Sequence, residues 1–121
     1  MTRKDADFMV GQTIDSLTLA PDGSTLTIEF RDETGAILEA EGECCSHCWI
    51  EGMEGASQVV GHAIVSVEDI EMPERDFDVE RHECLDFYGL RINTNFGALV
   101  IDYRNSNNGY YGGWLNIRET G

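Results

Sequence analysis

Lysine is almost missing from this chain. Of its 121 residues only Lys4 is a lysine, and Lys and Arg together number 8 against 23 Asp and Glu, a formal net charge of −15. A folded body without lysine offers no P-loop lysine, no Schiff-base amine and no anchor for pyridoxal phosphate. So little positive charge also excludes ordinary binding of DNA or RNA through a basic face, since phosphates and protein repel one another. The same field opposes docking on an anionic membrane. Proline is scarce too, at 2 residues, and there is no proline-rich linker, internal repeat or low-complexity segment. No apolar run approaches the roughly 18 residues of a membrane span. No apolar stretch follows the opening Met-Thr-Arg-Lys-Asp, so no signal peptide is visible. G-x-S-x-G, H-E-x-x-H, G-x-G-x-x-G and the EF-hand loop are all missing.

What is present is an ordinary globular composition, 41% hydrophobic and 26% charged, with the length of a single domain. Residues 1–10 read as a flexible leader, and 11–121 as one acidic, β-rich domain. Ile14, Leu17 and Leu19 form a first apolar stretch. Pro21-Asp22-Gly23-Ser24 is turn chemistry. Leu26, Ile28 and Phe30 then alternate with Thr27 and Glu29, the period of a half-buried strand. After the turn Asp32-Glu33-Thr34-Gly35, Ile37 to Gly42 resumes the chain as a meander. Met53, Ala56, Val59 and Val60 fall at helical spacing, so Glu51 to Gly61 is expected as the one helix, ended by Gly61 with His62 as a capping residue. Ala63 to Ile70, Glu83 to Thr94, Ala98 to Arg104 and Gly113 to Arg118 read as strands. Glu71 to Val79 reads as an acidic connection, and Asn105 to Gly109 as a loop. The expected fold is α+β and mainly antiparallel, with about seven short strands and one short helix.

The charge is unevenly placed. From Asp32 to Glu74 there are eleven acids and no Lys or Arg, whereas Arg75 to the end holds five Arg against seven acids. One reading is a solvated face that keeps the protein soluble. The other is an anionic surface that offers spaced carboxylates to a basic groove, as a DNA mimic does.

All four cysteines and two of the three histidines lie in Cys44-Cys45-Ser46-His47-Cys48 and His82-Glu83-Cys84. Cys45 and Cys48 form a C-x-x-C, a spacing that lets two thiolates converge on one tetrahedral ion, and His82 and Cys84 share one face of a strand. Together they form a candidate zinc set, Cys45, Cys48, His82 and Cys84. Against it stands the common use of cysteine as a small buried hydrophobe; on that reading the protein needs no cofactor. The acids from Glu68 to Glu80 lack the alternation and glycine of a calcium loop and read as solvated. In Ser106 to Trp114, the aromatic Tyr110, Tyr111 and Trp114 either offer amphipathic contact surface or pack partly into the core.

Several of these segments carry a resemblance. Glu43-Cys44-Cys45, the stretch Ile50 to Gly61, Ala63 to Glu68, Leu85-Asp86-Phe87-Tyr88 and Ser106-Asn107-Asn108-Gly109-Tyr110-Tyr111 resemble the order of motifs in a family of small phage and prophage domains of unknown function. Members join strands through an acidic Cys-Cys segment and close on Ser-Asn-Gly-Tyr-Tyr. This chain departs by one extra Asn and by Gly112 in place of a small polar residue. The resemblance implies a phage or mobile-element origin and a site of action in the cytoplasm of a bacterial host, and it transfers no catalytic residue.

The combined expectation is a non-enzymatic, anti-CRISPR-like inhibitor of a host defence or nucleic-acid-handling complex. Glu39, Glu41, Glu43, Glu51 and Glu54 would pair with basic residues of the host protein complex, and Tyr110, Tyr111 and Trp114 would anchor it. No direct contact with nucleic acid or membrane is expected. The alternatives are a zinc-stabilised structural or assembly module and a binder of a small molecule or nucleotide signal.

Overall fold

The alternation in Leu26-Thr27-Ile28-Glu29-Phe30 works as a half-buried strand requires, with Leu26, Ile28 and Phe30 buried and Glu29 exposed. The computed structural model describes residues 3–43, 46–71, 75–78, 83–107 and 112–121. Among these described residues are nine strands: β1 (Ile14–Leu19), β2 (Thr25–Phe30), β3 (Gly35–Gly42), β4 (His47–Glu54), β5 (Ile64–Ile70), β6 (Arg75–Asp78), β7 (Glu83–Thr94), β8 (Ala98–Asn107) and β9 (Gly113–Thr120). One sheet has the order β1-β2-β3-β9; the other runs β4-β8-β7-β5, with β6 also paired to β7. Every pairing is antiparallel. Inner residues of both sheets, among them Leu26, Ile28, Leu38, Leu90, Ile92, Leu99, Ile101 and Leu115, share one core.

Local chemistry places the turns. The Asp22 carboxylate accepts from the Ser24 backbone N–H at 3.0 Å and from its hydroxyl at 2.7 Å, and Gly23 takes φ 74°. Asp32 holds Thr34 in the same way. These hydrogen bonds to the ionised form keep both carboxyls below their usual pKa range, the Ser24 and Thr34 hydroxyls being the largest causes.

The seven expected strands are present, and two more were not anticipated. β6 lies in the segment read as a connection. β4 takes up Glu51 to Glu54, the first turn of the expected helix, so α1 shrinks to Ala56–Val59. Two effects decide against the longer helix. Gly52 and Gly55 each weaken a helix by about 1 kcal/mol, and Gly55 adopts φ 94°, outside the right-handed helical region. Meanwhile the ladder from His47–Ser106 to Glu54–Val100 satisfies the β4 backbone against β8. β8 also runs on through Asn107, so Asn105 to Asn107 are strand where a loop was expected.

The N-terminal segment is packed where a free leader was expected. Lys4–Met9 is a 3-10 helix whose Ala6 and Met9 are fully buried. The Arg3 backbone N–H donates to the Val67 carbonyl on β5 at 3.0 Å, and its guanidinium donates to the Leu115 carbonyl on β9 at 2.8 Å. The segment thus bridges one edge of each sheet. Further along, Gly11 donates to Ile64 and Ile64 donates to Gln12, tying the approach to β1 to the start of β5. Ile50 on the edge of β4 donates to the carbonyl of Gly23 at 2.7 Å. The exposed donors and acceptors of edge strands are therefore partly satisfied by the chain itself, which protects such edges from pairing with other chains. No helix among the described residues is long and apolar enough to cross a membrane.

Candidate interaction surface

Alternation on β3 buries Ala36 and Leu38 and turns Ile37, Glu39 and Glu41 to the outer face of the first sheet. On β9 the residues opposite these three are Arg118, Asn116 and Trp114. The Trp114 indole N–H donates to the Glu41 carboxylate at 3.1 Å, and Trp114 remains 41% exposed. Glu43 follows just beyond the strand, exposed, with its backbone carbonyl accepting from the Ser46 hydroxyl at 2.7 Å. The structure thus brings Glu39, Glu41 and Trp114 together on adjacent strands, with Glu43 at the end of the row.

Glu51 and Glu54 lie elsewhere, on β4 of the second sheet. They line a shallow groove of about 300 Å³ with Gly52, Met53, Val100 and Asp102. The basic-free stretch is therefore divided between two sheets and does not form one continuous ridge. On the outer face around Glu51 a second group assembles. Trp49 donates its indole N–H to Glu51 at 2.8 Å and stacks with His47 at 5.3 Å. Arg104, opposite Trp49 on one side and Phe87 on the other, lies 4.8 Å from the Phe87 ring centroid and pairs with Asp102 at 3.2 Å. Sequence reasoning did not anticipate this group. Half of it was accessible, since counting outward in equal steps from the Asn95-Phe96 turn places Phe87 beside Arg104.

The candidate metal ligands are not brought together where they can be followed. Cys48 lies opposite Asn105 on β8, and Cys84 lies opposite Asn107 from the other side. The two cysteines flank β8 and pair with it two residues apart, so their backbones lie at least two strand spacings, about 9.5 Å, from each other. Cys45 and His82, like Tyr110 and Tyr111, lie outside the described residues. Among the described residues no group of three or more His, Cys, Asp or Glu is placed to hold a metal ion. Cys84 instead lies 3.7 Å from the Asp86 carboxylate, which also accepts from the Asn107 amide at 2.9 Å.

Cys48 is buried, with its thiol 3.8 Å from the Trp114 carbonyl, and burial pushes its pKa up to about 11. The folded state holds the thiol protonated. Stability from this group is complete below the ordinary value of 9.0 and is lost as pH rises to about 11, because the unfolded chain ionises first. Site-resolved alkylation will find Cys48 unmodified in the folded protein near neutral pH and modified after denaturation; modification in the folded state would contradict this assignment.

At one end of the sandwich the inner face turns polar. The Tyr88 and Tyr103 rings stack at 5.2 Å, and burial pushes the Tyr103 hydroxyl above its ordinary pKa range. Arg3 donates to Asp5 and, at 3.0 Å, to Asp69. These hydrogen bonds, that to Asp5 foremost, hold its guanidinium more firmly charged than usual. At the opposite end, His62 donates its backbone N–H to the Val59 carbonyl, and its ring stacks on Phe96 at 4.7 Å.

Comparison with known proteins adds a relationship. The chain is 36% identical over 90 residues to a protein of Acanthamoeba polyphaga mimivirus named uncharacterized protein L278, covering 69% of this chain and 68% of that one. No solved structure matches it. Residues 7–117, from the buried N-terminal helix to the inner residue Ile117 of β9, match a family described as a domain of unknown function. With that span reaching across both sheets, the chain belongs to the DUF7448 family.

Proposed function

We propose that this domain is a non-enzymatic binding module that engages a basic protein surface through the outer face of β3 and β9. The observation that carries this reading is the placement of Glu39 and Glu41 beside the exposed indole of Trp114. Carboxylates on the rim of such a contact steer a basic partner and set its register, while a large amphipathic ring supplies contact energy at its centre. Holding the indole through Glu41 pre-orders it, which lowers the entropy lost on docking. Similarity to a viral protein supports a viral setting. There, an acidic face seated in a basic nucleic-acid groove would block a host defence or nucleic-acid-handling complex.

The test is affinity capture from host lysate at low and high salt, followed by binding measurements with the purified partner. Glu39→Lys with Glu41→Lys will weaken binding at least about tenfold and flatten its dependence on ionic strength. Trp114→Ala will weaken it by a similar factor with the salt dependence retained. Binding that keeps its affinity and salt dependence in the double reversal would overturn the reading.

A further inference from the structure

In an antiparallel ladder, residue pairs that exchange backbone hydrogen bonds alternate with pairs whose N–H and C=O groups point away from the partner strand. At the end of β1 the Ala20 N–H donates to the Thr25 carbonyl at 2.9 Å, which fixes the phase. Counting back through the register, Thr18–Thr27 and Ser16–Glu29 are bonded pairs, whereas Leu17–Ile28 and Leu19–Leu26 are not. The N–H and C=O groups of Leu17 and Leu19 therefore point away from β2. Because β1 ends its sheet, they point off the edge. The irregularity between Ile14 and Ser16 separates this stretch from Ile14, whose outward groups are taken by Gly61 and His62. Among the described residues no backbone group pairs with the outer side of Leu17 or Leu19.

The other sheet ends differ. Ile50 on β4, Val67 on β5 and Leu115 on β9 each have an outward backbone group engaged by the chain itself. Open edges are commonly blunted by Lys, Pro or an inward charge, and Ser16-Leu17-Thr18-Leu19-Ala20 has none of these. Leu17 and Leu19 lie opposite the buried Ile28 and Leu26 and pack against the core, yet they are only partly buried. A strand laid beside β1 would cover both.

Charge decides the occupant. Asp15 and Asp22 flank the open stretch, both are exposed, and no ion pair among the described residues engages either. A second copy added antiparallel about Thr18 would set Asp15 of each chain close to Asp22 of the other. That repulsion adds to the one between two chains of net charge −15. A segment with Lys or Arg at its ends places the opposite charge there instead.

We propose that an extended segment of a partner protein adds antiparallel to β1, extending the four-stranded sheet. Its alternate apolar side chains cover Leu17 and Leu19, and its terminal Lys or Arg residues meet Asp15 and Asp22. Such strand addition draws affinity from main-chain hydrogen bonds and specificity from every second side chain. β1 and β9 are opposite edges of one sheet, so this contact goes beyond the one proposed at Glu39, Glu41 and Trp114 and does not depend on it.

The probe is the peptide acetyl-Lys-Thr-Val-Thr-Val-Thr-Lys-amide, whose two Val residues fall opposite Leu19 and Leu17. It is titrated into the intact protein at physiological ionic strength while backbone amide signals and their hydrogen exchange are followed by NMR. Saturable shifts are expected from Ser16 to Ala20, and exchange of the Leu17 and Leu19 amides will slow at least about fivefold at saturation. N-methylation of both Val amides removes the donors that face β1 and will abolish saturable binding. Replacing the terminal Lys residues by Glu will weaken it at least about fivefold. Leu17→Pro removes an outward N–H and no hydrogen bond to β2, and will weaken the unmodified peptide by a similar factor. Absence of saturable shifts, or equal binding of the N-methylated or the Glu-ended peptide, overturns the proposal with the unaltered protein alone. A concentration-dependent dimer in sedimentation that Leu17→Pro abolishes would make a second copy the occupant and overturn it too. None of these failures touches the outer-face reading, because no partner is present.

Discussion

Met9→Ala will lower the free energy of unfolding by about 2–5 kcal/mol. Denaturant titration will show this as a lower midpoint at unchanged slope. Met9 is fully buried, at the end of the 3-10 helix that contacts both β5 and β9. Removing its thioether and methylenes deletes apolar contacts and leaves a cavity that strands on both sides, tied by their ladders, cannot collapse to fill. Val10→Ala provides the contrast, because Val10 is 49% exposed and its truncation will stay within about 0.5 kcal/mol. If the two variants melt alike, the N-terminal segment does not belong to the core. Arg3 precedes the same segment. Loss of its packing would loosen the ion pairs with Asp5 and Asp69.

Gly55→Ala will be comparably damaging, at about 3 kcal/mol. Gly55 ends the β4 segment at φ 94°, and a methyl group built there would overlap the carbonyl oxygen of Ala98. Two penalties therefore add: the left-handed backbone that a side chain resists, and a collision with backbone that a rotamer change cannot relieve. Gly11→Ala separates them. Gly11 has a similar φ of 89° and nothing within 4 Å of the new methyl group, so only the conformational penalty of about 1 kcal/mol applies. Equal losses in the two variants would show that the close approach of Gly55 to β8 does not matter.

The same residue shows where the sequence could and could not be followed. Met53, Ala56, Val59 and Val60 have helical spacing, but spacing is a property of one segment. The competing ladder between β4 and β8 joins residues about fifty positions apart, from His47 with Ser106 to Glu54 with Val100. Nothing within Glu51 to Gly61 announces that partner, apart from the two glycines that make a helix expensive. Residues 1–10 misled for a related reason. Their few apolar side chains have no period of their own, and Ala6 and Met9 acquire a buried role only because the edges of β5 and β9 meet beside them.

The candidate surface divides along the same line. That Glu39 and Glu41 share one face of a strand follows from the period of two. That Trp114 stands beside Glu41 requires the pairing of β3 with β9, a contact across most of the chain. The separation of Glu51 and Glu54 onto another sheet likewise depends on where β4 pairs. For cysteine, the local spacing of Cys48 and of Cys84 could not reveal that β8 runs between them.

By itself, then, the sequence determined the net charge, its concentration between Asp32 and Glu74, and the turns at Asp22 and Asp32. It also determined seven strands whose alternation or apolar runs are local. These are consequences of side-chain chemistry and short-range backbone preference, which act between residues a few positions apart. The tertiary structure decided the pairing of β3 with β9 and of β4 with β8, the burial of Met9, and the division of the acidic residues between two sheets. It alone left the edge of β1 beside Leu17 and Leu19 open. Those outcomes depend on which distant backbones satisfy one another's hydrogen bonds while covering a common apolar core, and that competition is settled only when the whole chain folds.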